Sequence, residues 1–267
     1  MVGSSSRVVP TNGMPQAEPC KLSDPTLHVL SLRYSSWSIR PWLALTAAEV
    51  PFSVETIELE DMGVQTNATG AALVHESSAR LARRRGQGSV TGLFPVLYVD
   101  GRPIHESLAI CEWTADSFPE AGLWPADMIR RAQARSICCE MMSGFQSLRT
   151  NMPCHVFARV PHCPRDAATE VDIQRVFEIW NGALDASGGP FLFGDFGISD
   201  CMYFPVLTRF RTYDVELPSV LESYAERIES NPTVDAWRRA AAAAPAIAIY
   251  DDMIRAKGGD PEAAARD

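Results

Sequence analysis

The sequence predicts an α/β domain followed by an all-helical domain. Three observations carry this reading. Up to about residue 117, short apolar or alternating runs interleave with helical patterns. Phe118–Asp127, with two prolines and a glycine, then interrupts the pattern. Beyond it, segments with apolar residues at helical spacing follow one another to about residue 245. A chain of 267 residues, 46% of them apolar, is long enough to pack two such lobes.

Residues 1–24 are rich in Ser, Pro, Gly and Asn and read as a flexible tail. Leu27–Leu32 reads as a strand, and it runs into the turn Ser35-Ser36-Trp37-Ser38. A helix follows from about Ser38 to Ala48. Pro41 is comfortable only in a helix's first turn, so Ser38 is the better N-cap and Ser35 is left on the turn with its hydroxyl free. Phe52–Leu59 alternates apolar with polar and reads as a second strand. Ala71–Arg85 reads as a helix ending in Arg83-Arg84-Arg85, with Gly86 just past its end. Phe94–Val99 and Arg102–His105 are two strands joined by Asp100-Gly101, a strong hairpin signal. Helix Leu108–Ser117 follows, with Ser107 as N-cap. The order βαβ-α-ββα, over residues 25–118, is that of a thioredoxin-like domain. Residues 119–127 are the linker. The second domain, residues 128–257, reads as an all-α helical bundle built from Arg130–Asn151, Thr169–Ala186, Asp200–Phe210, Ser219–Ser230 and Thr233–Ala244. Residues 258–267 read as a second tail.

Composition narrows the function. A net charge of −9 argues against nonspecific binding to nucleic acid or to an anionic membrane. No run approaches the ~20 apolar residues that span a bilayer, and the N-terminus lacks the pattern of a secretory signal. The seven cysteines suggest no disulfide framework, which favours a reducing, cytoplasmic setting. The serine turn is the chemical focus. At a strand-to-helix switch the helix N-terminus offers free N–H groups and partial positive charge, both suited to an anion such as a thiolate. Thioredoxin-like redox enzymes carry Cys-x-x-Cys there; this chain has Ser35-x-x-Ser38, so dithiol exchange is excluded and the sulfur must arrive with a ligand.

Four stretches together resemble the cytosolic glutathione transferases. They are Ser35–Arg40 running into Trp42-Leu43-Ala44-Leu45, Phe94–Leu97 with Asp100-Gly101 and Ile104–Ile110, Ser143–Leu148, and Phe193–Asp200. The serine turn and Ile104-His105-Glu106-Ser107 are most similar to the zeta class, which includes maleylacetoacetate isomerases. The resemblance implies glutathione as co-substrate, no metal, a small hydrophobic electrophile as second substrate, a detoxification role and a homodimer. It implies Ser35 as the catalytic hydrogen-bond donor to the glutathione sulfur, with Ser36 and Ser38 as second choices. Pro95 resembles the family's cis-proline, with Phe94 pairing to the ligand backbone. Glu106 and Ser107 suit the γ-glutamyl end, Ser107 holding its carboxylate. Arg40 and Gln146 complete the glutathione contacts, and Met142, Thr150 and Arg209 the substrate pocket. Asp200 resembles a structural helix-capping aspartate, with Gly197 in place of the usual Ser or Thr.

Three departures bear on function. Trp37 stands where zeta-class isomerases carry a cysteine. The segment between Leu59 and Phe94 is longer than in the family, and Arg83, Arg84, Arg85 or Gln87 is left to meet the glycyl carboxylate, unless the arginines are a solvated helix end. Pro153-Cys154-His155 and Pro161-His162-Cys163 offer zinc-ligand residue types, but adjacent Cys-His pairs lack the usual ligand gaps. The reading is therefore a glutathione S-transferase. A glutathione-dependent isomerase and a non-catalytic binding module of the same fold are the alternatives.

Overall fold

The computed structural model describes residues 24–57, 65–66, 72–73 and 78–265. The expected N-terminal tail up to residue 23, the end of the second expected strand at Glu58 and Leu59, and the expected helix start at Ala71 lie outside these residues.

The first lobe is built on a four-stranded mixed sheet of order β2-β1-β5-β6. Strand β1 (Thr26–Val29) pairs in parallel with β2 (Ser53–Thr56) and antiparallel with β5 (Val96–Val99), which turns into β6 (Arg102–His105). Leu27 and Val29 alternate inward from β1, and Leu97 and Val99 from β5. Between β1 and β2 the chain crosses through helix α1 (Ser36–Ala47). A small hairpin, β3 (Gln65–Thr66) with β4 (Ala72–Leu73), and helix α2 (Ser78–Gly86) precede β5. The helix expected from Ala71 thus starts only at Ser78, and Ala72–Leu73 is strand. Helix α3 (Ser107–Ser117) packs on α1 and closes the lobe. The fold is a thioredoxin-like domain.

The second lobe is helical throughout. The single long helix expected over Arg130–Asn151 is two, α4 (Met128–Ser143) and α5 (Gln146–Asn151). The break falls where Phe145 takes a left-handed φ of 60° after Gly144, whose added Cβ would stand 2.9 Å from the Glu140 carbonyl. Helix α6 (Ala167–Ser187), the buried α7 (Ile198–Thr212), α8 (Ser219–Glu229) and α9 (Pro232–Ala243) follow. Gly197, before α7, is explained by space rather than conformation. A Cβ there would stand 2.6 Å from the Leu123 carbonyl, which accepts the Ile198 N–H at 3.0 Å. Asp200 closes the same turn, accepting from the Gly197 N–H at 3.0 Å and from the Tyr224 hydroxyl at 2.9 Å. Burial pushes its carboxyl up to about 6 against those donors. Asp200 is thus a buried capping residue of α7.

Helix α10 (Ala248–Ala256) is an addition to the expected elements, although Tyr250, Met253 and Ile254 carry the helical spacing. The segment after it, expected as a tail, packs back on the protein. Asp260 bridges Arg159, Glu262 ion-pairs with Arg33, and the Ala264 N–H donates to the Phe157 carbonyl. Among the described residues no helix is long and apolar enough to cross a membrane.

Candidate active site

Helix α1 begins one turn earlier than Pro41 suggests. Ser35, not Ser38, is its N-cap: the Ser35 side chain accepts the Ser38 N–H at 3.3 Å, and the Ser38 hydroxyl donates to Ser35 Oγ at 3.1 Å. Pro41 therefore lies inside the helix, and the Trp37 carbonyl, four residues back, loses its usual donor. The Ser107 hydroxyl supplies the replacement, donating to the Trp37 carbonyl at 2.7 Å. One serine on α3 thus makes an interior proline on α1 tolerable and ties the two helix N-termini together.

These hydrogen bonds fix what each hydroxyl can do. A serine oxygen has two lone pairs and one proton. Both Ser35 lone-pair sites face donors, so its proton is the group left to point elsewhere. Ser35 lines a cavity of about 380 Å³ with Ser36, Trp37, Phe94, Pro95, Glu106 and Ser107, joined by Arg84, Thr91, Leu93, His105, Leu30, Tyr34 and Tyr250. Ser107 is fully buried and its proton is given to Trp37, so toward a ligand it can only accept. Neither α1 nor α3 has an acidic residue in its first turn, so the partial positive charge at both helix ends is uncompensated from within the helix. At the N-cap position of α3, Glu106 takes a left-handed φ of 74°, with no capping hydrogen bond from its side chain. Ser107 is accordingly the first helical residue and not the expected cap. The Phe94–Pro95 peptide is cis.

The segment between α2 and β5 forms another wall. Buried Arg84 donates to the Gly92 carbonyl at 3.2 Å, and Ser89 bonds both the Gly92 N–H and the Leu93 carbonyl. This loop sets Thr91 and Leu93 at the cavity.

The other expected site residues stand elsewhere. Arg40, Met142, Gln146, Thr150 and Arg209 are not among those lining the cavity. Gln146 is exposed at the start of α5. Arg40 is buried behind the turn, its Nε donating to the Met202 carbonyl at 3.0 Å and its guanidinium 4.5 Å from the Trp37 ring centre. Burial, then Arg149 and Arg209, pull Arg40 down to about 9, which leaves it charged at neutral pH. The Arg149 guanidinium lies 4.8 Å from the same indole. Trp37 therefore binds α1 to α5 through cation–π contacts besides facing the cavity. Arg209 donates to the Met152 and Pro205 carbonyls and, at 3.3 Å, to the Ser36 hydroxyl; it supports the turn from beneath. Of the Cys/His cluster, Cys154 is buried behind the turn, where burial pushes its thiol up, and His155 is bonded to Asp251. Among the described residues no group of three or more His, Cys, Asp or Glu is placed to hold a metal.

Sequence reasoning missed Tyr34, Leu30, Thr91, Leu93, His105 and Tyr250 as lining residues. Tyr34 adjoins the serine turn and Leu93 adjoins Phe94, so both were within reach. Tyr250 needed α10 first.

A thioredoxin-like lobe with serines where redox enzymes have cysteines, docked on an all-helical lobe, defines the architecture of the glutathione transferase fold. The families described as glutathione S-transferase N-terminal domain and C-terminal domain match residues 34–117 and 166–245, between them more than half of the chain. The chain belongs to the glutathione S-transferase family. It is 26% identical over 226 residues, 83% of its length and 90% of the relative's, to "Probable maleylacetoacetate isomerase 2" of Drosophila melanogaster. It is 33% identical over 113 residues, 42% of its length and 44% of the relative's, to "Probable maleylacetoacetate isomerase" of Caenorhabditis elegans. Among solved structures it is similar to a glutathione transferase homologue from Burkholderia gl BGR1 with bound glutathione (TM-score 0.60, 21% identity, 81% of this chain and 97% of that one). It is also similar to a Tau class glutathione S-transferase from mango, Mangifera indica (TM-score 0.58, 19% identity, 82% and 96%).

Proposed function

We propose that this enzyme binds glutathione in the 380 Å³ cavity and transfers an alkyl or aryl group to its sulfur. The observation that carries this is Ser35. Its oxygen is occupied by two Ser38 donors, and its proton is available to a sulfur anion at the α1 N-terminus. A free thiol of this type has a pKa near ~8.5 and is only a few per cent ionised at neutral pH. Lowering it by two units takes about 2.7 kcal/mol of preference for the thiolate. A hydrogen bond to a charged group contributes about 1.5–3 kcal/mol, and a helix N-terminus up to ~2 in a partly buried site. These suffice without a base. The thiol proton leaves to solvent. The thiolate attacks an electrophilic carbon and forms a C–S bond. In substitution the leaving group departs with the bonding pair; in addition the neighbouring carbon takes a proton from water.

The remaining contacts follow from the lining. Phe94 and Pro95 face the ligand's cysteinyl backbone. The γ-glutamyl carboxylate sits at the α3 N-terminus, its ammonium between Glu106 and the Ser107 oxygen, which can accept but not donate. Arg84 takes the glycyl carboxylate. Ser36 completes the turn. Arg40 and Arg209 act from outside the cavity by supporting the turn. The setting is the cytoplasm, whose glutathione keeps thiols reduced. The assembly is a homodimer, for which the exposed Met128 and Ile129 on α4 offer apolar surface.

The names of the curated relatives favour a second reading, glutathione-dependent isomerisation. Trp37 in place of a cysteine weighs against it. Mass analysis of products separates the two: a transferase leaves glutathione bonded to the product, an isomerase returns it unchanged. Failure of the purified chain to turn over any electrophile with glutathione, or to bind glutathione in calorimetry, contradicts the proposal.

A further inference from the structure

We propose that Tyr250 is the specificity-determining residue of the electrophile subsite, and that it selects planar, uncharged aryl electrophiles; this rests on the glutathione reading of the cavity. Tyr250 lines the cavity with Ser35, Trp37 and Phe94, although it comes from the far end of the chain. Its ring stacks on Tyr34 with centroids 5.0 Å apart and planes 16° from parallel. Tyr34 directly precedes Ser35, and the stacked pair lines the same cavity as the hydroxyl assigned to the sulfur.

The pair is held by a buried junction. The Tyr34 hydroxyl donates to Asp251 Oδ1 at 2.8 Å and accepts the Ile247 N–H at 3.2 Å. Asp251 Oδ1 also lies 2.9 Å from His155 Nε2, and the His155 ring stands edge-on to Tyr34, with centroids 4.8 Å apart. Tyr34, Asp251 and His155 are all buried. Residues on either side of Tyr250 in the chain are thus fixed to the serine turn, and further on Glu262 ion-pairs with Arg33, next to Tyr34. An aromatic wall fixed in this way loses little freedom when a flat ring packs on it.

The electrophile class follows from what surrounds the ring. Trp37 and Phe94 add aromatic surface and Leu93 adds apolar surface. The lining groups that carry charge, Arg84 and Glu106, are assigned to the two ends of the tripeptide. Among the described residues no other lining residue brings an Asp, Glu, Lys or Arg to answer a charge on the electrophile. An aryl ring gains stacking beyond simple burial, worth about two- to tenfold in affinity.

The test uses the full chain and two stable conjugates, S-benzylglutathione and S-methylglutathione, with affinities from calorimetry. The wild type binds the benzyl conjugate more tightly. Tyr250→Phe keeps the benzyl-to-methyl ratio within about twofold, and Tyr250→Leu lowers it by about three- to tenfold. An unchanged ratio in Tyr250→Leu, with both conjugates still binding, overturns the proposal and leaves the glutathione reading standing. Failure of the wild type to bind either conjugate overturns both. Should Tyr250→Leu not fold, the wild type with ring-labelled tyrosine decides. The resonance missing from Tyr250→Phe shifts with the benzyl conjugate and not with the methyl one; equal shifts with both refute the assignment.

Discussion

Ser35→Ala removes a hydroxyl with two separable duties. As N-cap of α1, Ser35 accepts from Ser38 at 3.3 Å through its N–H and at 3.1 Å through its hydroxyl. Losing a serine cap costs about 1 kcal/mol of stability. As donor to a bound thiolate, it contributes about 1.5–3 kcal/mol, or about one to two units of thiol pKa at ~1.4 kcal/mol each. Ser35→Ala is therefore expected to unfold at modestly lower denaturant and still to bind glutathione. Its bound thiol titrates about one to two units higher, near the free value. Ser38→Ala separates the duties. It takes one donor from Ser35 but leaves the Ser35 proton in place, so the thiol moves by less than about one unit while the cap is weakened. The assay is the thiolate absorbance of the glutathione complex as a function of pH. Equal shifts in the two variants, or no shift in Ser35→Ala, would refute the assignment of the Ser35 proton to sulfur.

Three further outcomes are expected. Ser107→Ala strips the Trp37 carbonyl of the donor that replaces the one Pro41 lacks, at a cost of about 1–3 kcal/mol in urea unfolding; in a Pro41→Ala background, where residue 41 regains its N–H, the same change costs less, and an equal cost in both backgrounds contradicts the pairing. Gly197→Ala drives a Cβ to within 2.6 Å of the Leu123 carbonyl and is expected to destabilise by about 1–3 kcal/mol, which an unaltered denaturation midpoint would exclude. Burial holds His155 below the ordinary histidine range. The folded value lies under the unfolded one of ~6.5, so its contribution to stability is present above that pH and is lost as pH falls. His155→Gln, which can keep a donor to Asp251, should flatten this part of the pH–stability curve; identical curves speak against a neutral buried His155.

Much of the fold could be read from local patterns, because period and punctuation are local. Asp100-Gly101 marked the β5–β6 hairpin. The misreadings fall where a distant group changes a local rule. Pro41 points to a helix start at Ser38 only if no donor arrives for the Trp37 carbonyl, and that donor, Ser107, is 70 positions away. Gly144 and Phe145 divide one apolar helical pattern into α4 and α5 through backbone conformation, which periodicity does not register. Gly197 reads as a weak cap until Leu123 is seen against it. The serine turn, Phe94-Pro95 and Glu106-Ser107, which line the cavity, are legible in the sequence because contiguous residues form them. Tyr250 could not be placed beside Ser35 from sequence, since it is the Tyr34–Asp251–His155 junction that joins those segments.

The most direct measurement is the pKa of the glutathione thiol bound to the unmodified protein. Titrating the thiolate absorbance of the complex against that of free glutathione gives it in one experiment. Activation by the Ser35 hydroxyl and the α1 N-terminus predicts a bound value about two units below the free ~8.5, so that most of the bound thiol is ionised at neutral pH. A bound thiol that titrates with free glutathione would contradict the account.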